Sequence, residues 1–433
     1  MTPRRTWTLA LLASGLAVAP LAAQQSQMEM TLSDAVRRAL SVQPAVVQAR
    51  GAQRNAAAAQ RSAAGAFLPT LSAGGSSNDA SSNRFNSATG QIVNVPTSTA
   101  YSGSLSLSVD LFDGLRRFAN RNAASATRDA ADAGFANQRY QVTAATAQLF
   151  FAALANEDLV RVARAQVDRA KEELQISLNK FQAGSATRSD TLTSTVDYGT
   201  AQLALLQAQA NLATAQANLG RQVGLDQPVR AAPDSLFPAM PDTSGLRAEA
   251  LASSPQVQQA EAQARAARSM VSVAHAEYWP TISLGYSNGY TGLDAPWSTT
   301  QSYVNNWTLR FSVSWTLFNG FSREADQVSA SVQRDIAEAQ AGDARRQINA
   351  QFTQQVAAML TANAQIGIAA ANVAAAAEAL RVQQERYRLG AATLLDVLTA
   401  EANLTQASVN QVQARYDYLV ARAQLEAVVG RTL

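Results

Sequence analysis

The chain has no cysteine, which excludes disulfides, a thiolate nucleophile and any cysteine-ligated metal. Its one histidine, His275, has no second histidine to join it and only Glu277 as an acidic neighbour, too few ligands for a metal centre. Charged residues make up 15% of the 433, well below the roughly 25% of an ordinary soluble protein. Ala, Gln, Ser, Thr and Asn fill the gap. The pattern G-x4-G-K-[ST] is missing, so no phosphate-cradling loop is expected and energy for any transport must come from elsewhere. A net charge of +3 is too small to imply a nucleic-acid partner. Beyond the N-terminus there is no run of about 20 apolar residues, and no membrane-spanning helix is expected. No cofactor is expected either.

What is present begins with a processing signal over residues 1–23. Arg4 and Arg5 form a basic start, Trp7 to Val18 a short apolar core, and Ala22-Ala23 a small-residue site for a cut ahead of Gln24. The remainder reads as two copies of one plan. LSDAVRRALSVQ (32–43) stops at Pro44 and LRAEALASS (246–254) at Pro255; FLPT (67–70) answers YWPT (278–281); both pairs are 211 residues apart. From DLFDG (110–114) and TLFNG (316–320) onward the offset is 206. The expected organisation is a first repeat over 24–224, a proline-rich linker over 225–245 and a second repeat over 246–433.

Within each repeat the hydrophobic period changes. YSGSLSLSVDL (101–111) and WTLRFSVSWTL (307–317) alternate apolar and small polar residues with period two, the mark of a strand with two unlike faces. Each is expected to pair with a weaker preceding strand across a polar loop (78–99 or 291–304). The pairs are placed at about 67–77 with 101–112 and about 280–290 with 305–318. Asp110 and Arg310 fall on the small-residue face. After the strands, about Leu115 to Lys180 reads as one helix, roughly 100 Å long at 1.5 Å per residue. A second helix follows, with Leu192, Val196, Gly199, Leu203, Leu206, Ala210, Ala213 and Ala217 at alternating spacings of four and three, a coiled-coil seam. The facing stripe is expected to be Val160, Ala163, Val167, Ala170, Leu174 and Phe181. The turns lie at 184–190 (Gly184 to Asp190) and 390–396 (Gly390 to Asp396), where glycine ends one helix and aspartate caps the next.

The fold class that follows is mainly α: antiparallel helical coiled coils continued by four membrane strands per chain. Four strands cannot close a membrane barrel, since the smallest have about eight, and open edges are not tolerated in lipid. Closure between copies is therefore expected, and a homotrimer supplies 12 strands.

In the tandem halves, the FLPT/YWPT and LFDG/LFNG motifs and the two Gly-x5-Asp turns, the chain resembles the TolC-type outer-membrane efflux proteins along essentially its whole length after the signal. The resemblance implies an outer-membrane location with a long periplasmic helical part. It implies a passive duct serving efflux of small molecules, with a homotrimer in outer-membrane lipid, a periplasmic adaptor (membrane fusion) protein and an inner-membrane RND or ABC pump as partners. The same type of duct in type I protein secretion is the alternative. A periplasmic adaptor is a further one, disfavoured because an adaptor has one hairpin and no long alternating strands. The adaptor-contact turns implied are Gly184, Ser185, Thr187, Gly390, Ala391 and Thr393. Asp190 and Asp396 stand where the family carries acidic residues at its entrance, and helix capping is the competing role of each. Tyr387 stands where the family has a gate tyrosine, with Asp190 as its partner. Ala392 and Thr399 depart from the family pattern of a gate arginine and a second acid, and Arg188 is the candidate replacement charge.

Overall fold

The computed structural model describes residues 28–88, 90–233, 237–243, 245–299 and 303–433. The signal over 1–23 and its cut lie outside the described residues. The chain starts with a short strand β1 (Met28–Met30), helix α1 (Leu32–Val42) and helix α2 (Pro44–Gly65). Thr31 caps α1, its hydroxyl accepting from the Asp34 amide at 3.2 Å. Pro44 stops α1 and starts α2, because proline suits a first helical turn and disfavours helix just before itself. Two strands, β2 (Thr70–Asn86) and β3 (Gln91–Asp113), lead into helix α3 (Arg116–Gln182), turn, and return as α4 (Arg188–Gln222). After β4 (Val229–Ala231) the plan recurs: α5 (Leu246–Ser253), α6 (Pro255–His275), a 3-10 turn at Ala276–Tyr278, β5 (Thr281–Gly292), β6 (Tyr303–Ser314), α7 (Ser322–Arg388) and α8 (Leu394–Val429). At 67 residues each, α3 and α7 are about 100 Å long.

The four long strands form one antiparallel sheet in the order β2-β3-β5-β6, so β2 and β6 are its two edges. The expected 78–99 loop is a correction. The strands run on through most of it, with Phe85 opposite Ile92 and a turn between Asn86 and Gln91. Ser, Asn and Gly in this stretch hid the strand period, yet cross-strand pairing satisfies their backbone regardless of side chain. The last strand stops at Ser314, short of the expected 318. The proline-rich linker also holds structure: β4 pairs in parallel with β1, Met28 opposite Val229 and Met30 opposite Ala231.

Helices α6 and α8 each lie between α3 and α7, while α2 and α4 pack on α3 alone of the two long helices. One core joins Leu246, Val257, Ile348, Phe352, Met359, Tyr418 and Leu425 across α5 to α8. Another gathers Met30, Phe150, Leu154, Leu219, Val223, Val229 and Ala231 around the small sheet. The predicted seam on α4 does not face α3. Leu192, Val196, Leu203 and Leu206 are exposed, and α4 instead buries Thr191, Ser194, Ala201 and Leu219. Of the stripe expected to face it, Ala163 and Ala170 are buried but Phe181 is exposed. The spacing identified an apolar stripe correctly and assigned it the wrong neighbour. Helix α7 contains a stretch long and apolar enough by composition to pass for a membrane span. Alanine accounts for it, and the helix packs along α6 and α8.

Candidate functional site

The strand-to-helix junctions show why the repeated motifs are there. Gly114 and Leu115 both take left-handed backbone (φ 67° and 68°), as do Gly320 and Phe321 (69° and 65°). Two such residues in sequence reverse the chain sharply, at a cost for the non-glycine member. The Asp113 carboxylate is buried and accepts from the Arg117 amide at 3.0 Å, capping α3. Asn319 occupies the matching place before Arg323. The guanidinium of Arg117 lies 5.2 Å from the Phe67 ring, and that of Arg323 lies 4.6 Å from the Tyr278 ring. FLPT and YWPT thus supply the ring on which the arginine after LFDG or LFNG stacks. A Cβ on Gly114 would sit 2.5 Å from the Ala276 carbonyl and 2.9 Å from the Trp279 Cβ, whereas one on Gly320 would meet nothing within 4 Å.

The sheet has two unlike faces carried across all four strands. Leu71, Leu107, Tyr286 and Leu309 stand in one register row, and Val109, Leu284 and Phe311 in the next. On the other side, Ser72, Ser106, Ser287 and Thr308 form a row. The Thr70 and Ser108 hydroxyls share a 2.6 Å hydrogen bond on that side, and those of Ser76 and Ser102 one of 2.8 Å. Asp110, opposite Ser283, and Arg310, opposite Gly285, belong to the small polar face. The ladder skips Leu111, so Phe112 rather than Leu111 pairs with Ile282. The bulge shifts the expected apolar row by one residue at its end. Gly285 to Gly289 spell G-x-S-x-G, but they lie inside extended β5, not on the strand-to-helix elbow that exposes a nucleophilic serine. His275 neighbours Gln327 and the Tyr278 ring.

At the other end of the helices the two tips have one geometry. Gly184 and Gly390 turn at φ 74° and 76°, and Ser185 and Ala391 donate back to the Lys180 and Arg386 carbonyls. The Thr187 amide donates to the Asp190 carboxylate at 2.8 Å, and the Thr393 amide to Asp396 at 2.8 Å. Both threonine hydroxyls accept in return, completing capping boxes. Hydrogen bonds from Thr393 hold the Asp396 carboxyl below the usual carboxylate range. Gly184, Ser185, Thr187, Gly390, Ala391 and Thr393 are all exposed.

The expected Tyr387–Asp190 hydrogen bond is not formed within the chain. Asp190 spends its carboxylate on the cap, and Tyr387 is buried in a cluster with Leu380, Leu394, Val397 and Ala400. Its hydroxyl lies beside that of Ser177 without a well-formed hydrogen bond. Burial raises the phenol's pKa, and the nearby charges of Glu173 and Asp190 add to the effect. Lys180 makes the link between hairpins instead. Its ammonium sits 3.7 Å from the Tyr387 ring centre and donates to the Tyr387 carbonyl. Arg188 is exposed on the first turn of α4. The arginine at the Asp396 tip is Arg386, which donates to the Ala391 carbonyl at 3.3 Å.

Sequence reasoning missed Lys180 and two buried acids above the tips, Glu173 on α3 and Glu401 on α8, with half-buried Asp197 on α4 beside them. Glu173 and Glu401 are 2% and 5% exposed. A signal was available. The buried stripe of α3 runs Ala163, Ala170, Glu173, Ser177, so an acid occupies a seam position that periodicity reserves for apolar residues.

A sheet with one apolar and one small polar face, joined to helical hairpins about 100 Å long, defines an outer-membrane channel subunit with an α-helical extension. The chain matches the outer membrane efflux protein family over residues 35–225 and 246–431, and it belongs to that family. It is similar to the pyoverdine export outer membrane protein OpmQ of Pseudomonas putida, with 29% identity over 77% of this chain and 71% of that one. It is also similar to the alkaline protease secretion protein AprF of Pseudomonas aeruginosa, with 25% identity over 76% of this chain and 70% of the other. Among solved structures, the outer membrane protein VceC of Vibrio cholerae superposes with a TM-score of 0.78 at 19% identity, covering 93% of this chain and 96% of that one. The location is the outer membrane, with a long periplasmic helical part.

Proposed function

We propose that three copies of this chain form a passive exit duct of a tripartite efflux system, closing a 12-stranded barrel in outer-membrane lipid and a helical barrel below it. The observation that carries the reading is the unpartnered edges of the single chain. Strands β2 and β6 leave open ladders, which lipid does not tolerate. Along the helices, α4 exposes Leu192, Val196, Leu203 and Leu206, while α7 exposes Val328, Val332, Ile336, Leu360 and Ile368. Ring closure covers these rows with neighbouring copies: at 1.5 Å per residue from the tips, Ile368 (about 30 Å) lies level with Leu206 (about 27 Å), while Val328, Val332 and Ile336 lie near the strands. Tyr101, Tyr290 and Tyr303 mark one end of the apolar sheet face, and Trp279 and Trp315 the other. The twelve residue steps from Tyr303 to Trp315, tilted about 45°, rise roughly 28 Å, close to the ~25 Å apolar band between aromatic girdles. The Ser-lined face, with Asp110 and Arg310, then lines the lumen.

The tips form the periplasmic entrance. Gly184, Ser185, Thr187, Gly390, Ala391 and Thr393 contact the adaptor, and Asp190 and Asp396 add negative charge there. In a trimer they place six carboxylates near one constriction, which favours cations. The duct performs no catalysis, and an inner-membrane pump supplies the energy. OpmQ's name supports small-molecule export as the cargo class; AprF's supports protein secretion as the second reading.

The decisive experiment combines membrane fractionation with gel migration before and after boiling. A heat-sensitive trimer in the outer membrane is expected, and a monomer only, in detergent or membrane, overturns the reading. Phe311→Arg should then block assembly, at about 2–4 kcal/mol near mid-bilayer, while Ser312→Ala should be silent.

A further inference from the structure

About 16 Å above the tips, at 1.5 Å per residue from Gly184 back to Glu173, α3, α4, α7 and α8 converge on polar groups that their neighbours leave unmatched. Glu173 and Ser177 come from α3, Ser194 and Asp197 from α4, Tyr387 from α7 and Glu401 from α8. The Glu173 and Glu401 Oε1 atoms, both serine hydroxyls and the Tyr387 hydroxyl are buried without a hydrogen bond. Neither glutamate makes an ion pair among the described residues.

The charged groups facing this knot are Arg169, Glu172 and Lys180 on α3 and Asp190 and Asp197 on α4. The two cations nearest it have other engagements. Lys180 is held by the Tyr387 ring and carbonyl, and Arg169 donates through one Nη to the Thr405 hydroxyl at 3.2 Å while its Nε is itself buried without a hydrogen bond. A buried carboxyl without a counter-ion favours its neutral form.

The duplication sharpens the point. The positions 206 residues from Glu173 and Glu401 are Ala379 and Thr195, so the knot exists at one of the two related helix seams. It lies where the α3–α4 hairpin meets the α7–α8 hairpin.

We infer that Glu173 and Glu401 form a proton-operated latch between the two hairpins: protonated, they let α8 lie against α3; ionised, they push the tips apart and open the entrance. The latch rests on the reading of the chain as a duct with its entrance at the tips.

Energetics support the direction. Glu173 is pushed up to about 7, chiefly by burial, with Lys180 opposing and Glu172 and Asp197 adding to the rise. Glu401 is pushed up to about 7 by burial first, then by Asp197 and Glu173, with Arg169 opposing. Burial raises Asp197 as well. An acid whose packed-state pKa exceeds its ordinary 4.5 stabilises the packed state fully below pH 4.5. That contribution is lost as pH rises to about 7. Each pKa unit is a factor of ten, so full solvation on opening shifts the open-to-closed ratio on the order of a hundredfold per carboxyl.

The absence of cysteine makes the test direct. Ser185→Cys and Ala391→Cys place a single spin-label pair across the two tips, with labelled chains diluted into unlabelled ones. In the purified assembled protein the tip distance should lengthen between pH 5.5 and pH 8.0, and single-channel conductance in planar bilayers should rise several-fold in step. With Glu173→Gln and Glu401→Gln both present, tips and conductance should stay at their pH 5.5 values up to pH 8.0. If the double variant fails to assemble, either single variant serves, with a reduced pH response expected. An invariant tip distance in the unmodified protein overturns the latch, as does an undiminished pH response in the glutamine variants. The duct reading fails separately: movement of the tips with no conductance at any pH counts against the duct alone, and conductance without pH-linked movement counts against the latch alone.

Discussion

The hairpin tips at Gly184 and Gly390 have the same turn and the same capping box, and they sit in different surroundings. Tyr387, before the second turn, is buried at 7% exposure, while its counterpart Phe181 is 44% exposed. Leu394 of α8 is buried where α4 has exposed Arg188, while Val397 is buried like its counterpart Thr191. The junctions at the other end differ in the opposite sense: Gly114 of the first repeat is packed against Ala276 and Trp279, and Gly320 of the second faces open space. Related sequences therefore occupy unlike positions because the helices run α4-α3-α8-α7 towards the tips and α2-α3-α6-α7 towards the strands, so that α3 is flanked on both sides and α7 forms an edge. Exposed Phe318, Phe321 and Leu68 are what such an edge offers to a further copy, and the asymmetry within one chain measures what assembly must supply.

Truncating the buried ring should have the largest effect. Tyr387→Ala removes an aromatic side chain from a packed cluster, a loss of about 3–5 kcal/mol by the usual range for buried aromatics. Phe181→Ala should cost far less in the isolated chain. Trimer melting followed on gels checks both, and a large loss at Phe181 would reveal that assembly buries it as well. Gly114→Ala should be next. Left-handed backbone costs an alanine about 1–2 kcal/mol, and the clash with Ala276 adds about 1–3 kcal/mol of overpacking. Gly320→Ala should show the first contribution alone. Equal losses in the assembled protein would mean that a neighbouring copy packs on Gly320 as Ala276 packs on Gly114. The smallest effect belongs to the caps. Thr187→Ala and Thr393→Ala should each cost about 1 kcal/mol, and nearly the same amount. Hydrogen exchange of the Asp190 and Asp396 amides reads this locally, and unequal values would break the equivalence of the tips.

Legibility divides along physical lines. Alternation in 101–111 and 307–317 announced two-faced strands because side chains in a strand point to opposite sides whatever the neighbours are. The caps at Thr187 and Thr393 were equally legible, since Asp190 and Asp396 act on backbone three residues away. Local chemistry at the junctions was visible as LFDG and LFNG, although the stacking of Arg117 on Phe67 needed the fold. Strand length was underestimated because Ser, Asn and Gly at 74–83 carry no hydrophobic period while pairing through backbone alone.

By itself, then, the sequence determined the elements, their two-fold plan and the chemistry of each face, all governed by interactions within a few residues. Tertiary structure alone decided which way the α4 stripe points, that β1 reaches β4 across 200 residues of chain, that Tyr387 meets Lys180 rather than Asp190, and that Glu173 and Glu401 share one buried space. Each of those depends on which helix becomes the neighbour. Periodicity records that a face is apolar or polar, and only packing assigns the surface that covers it.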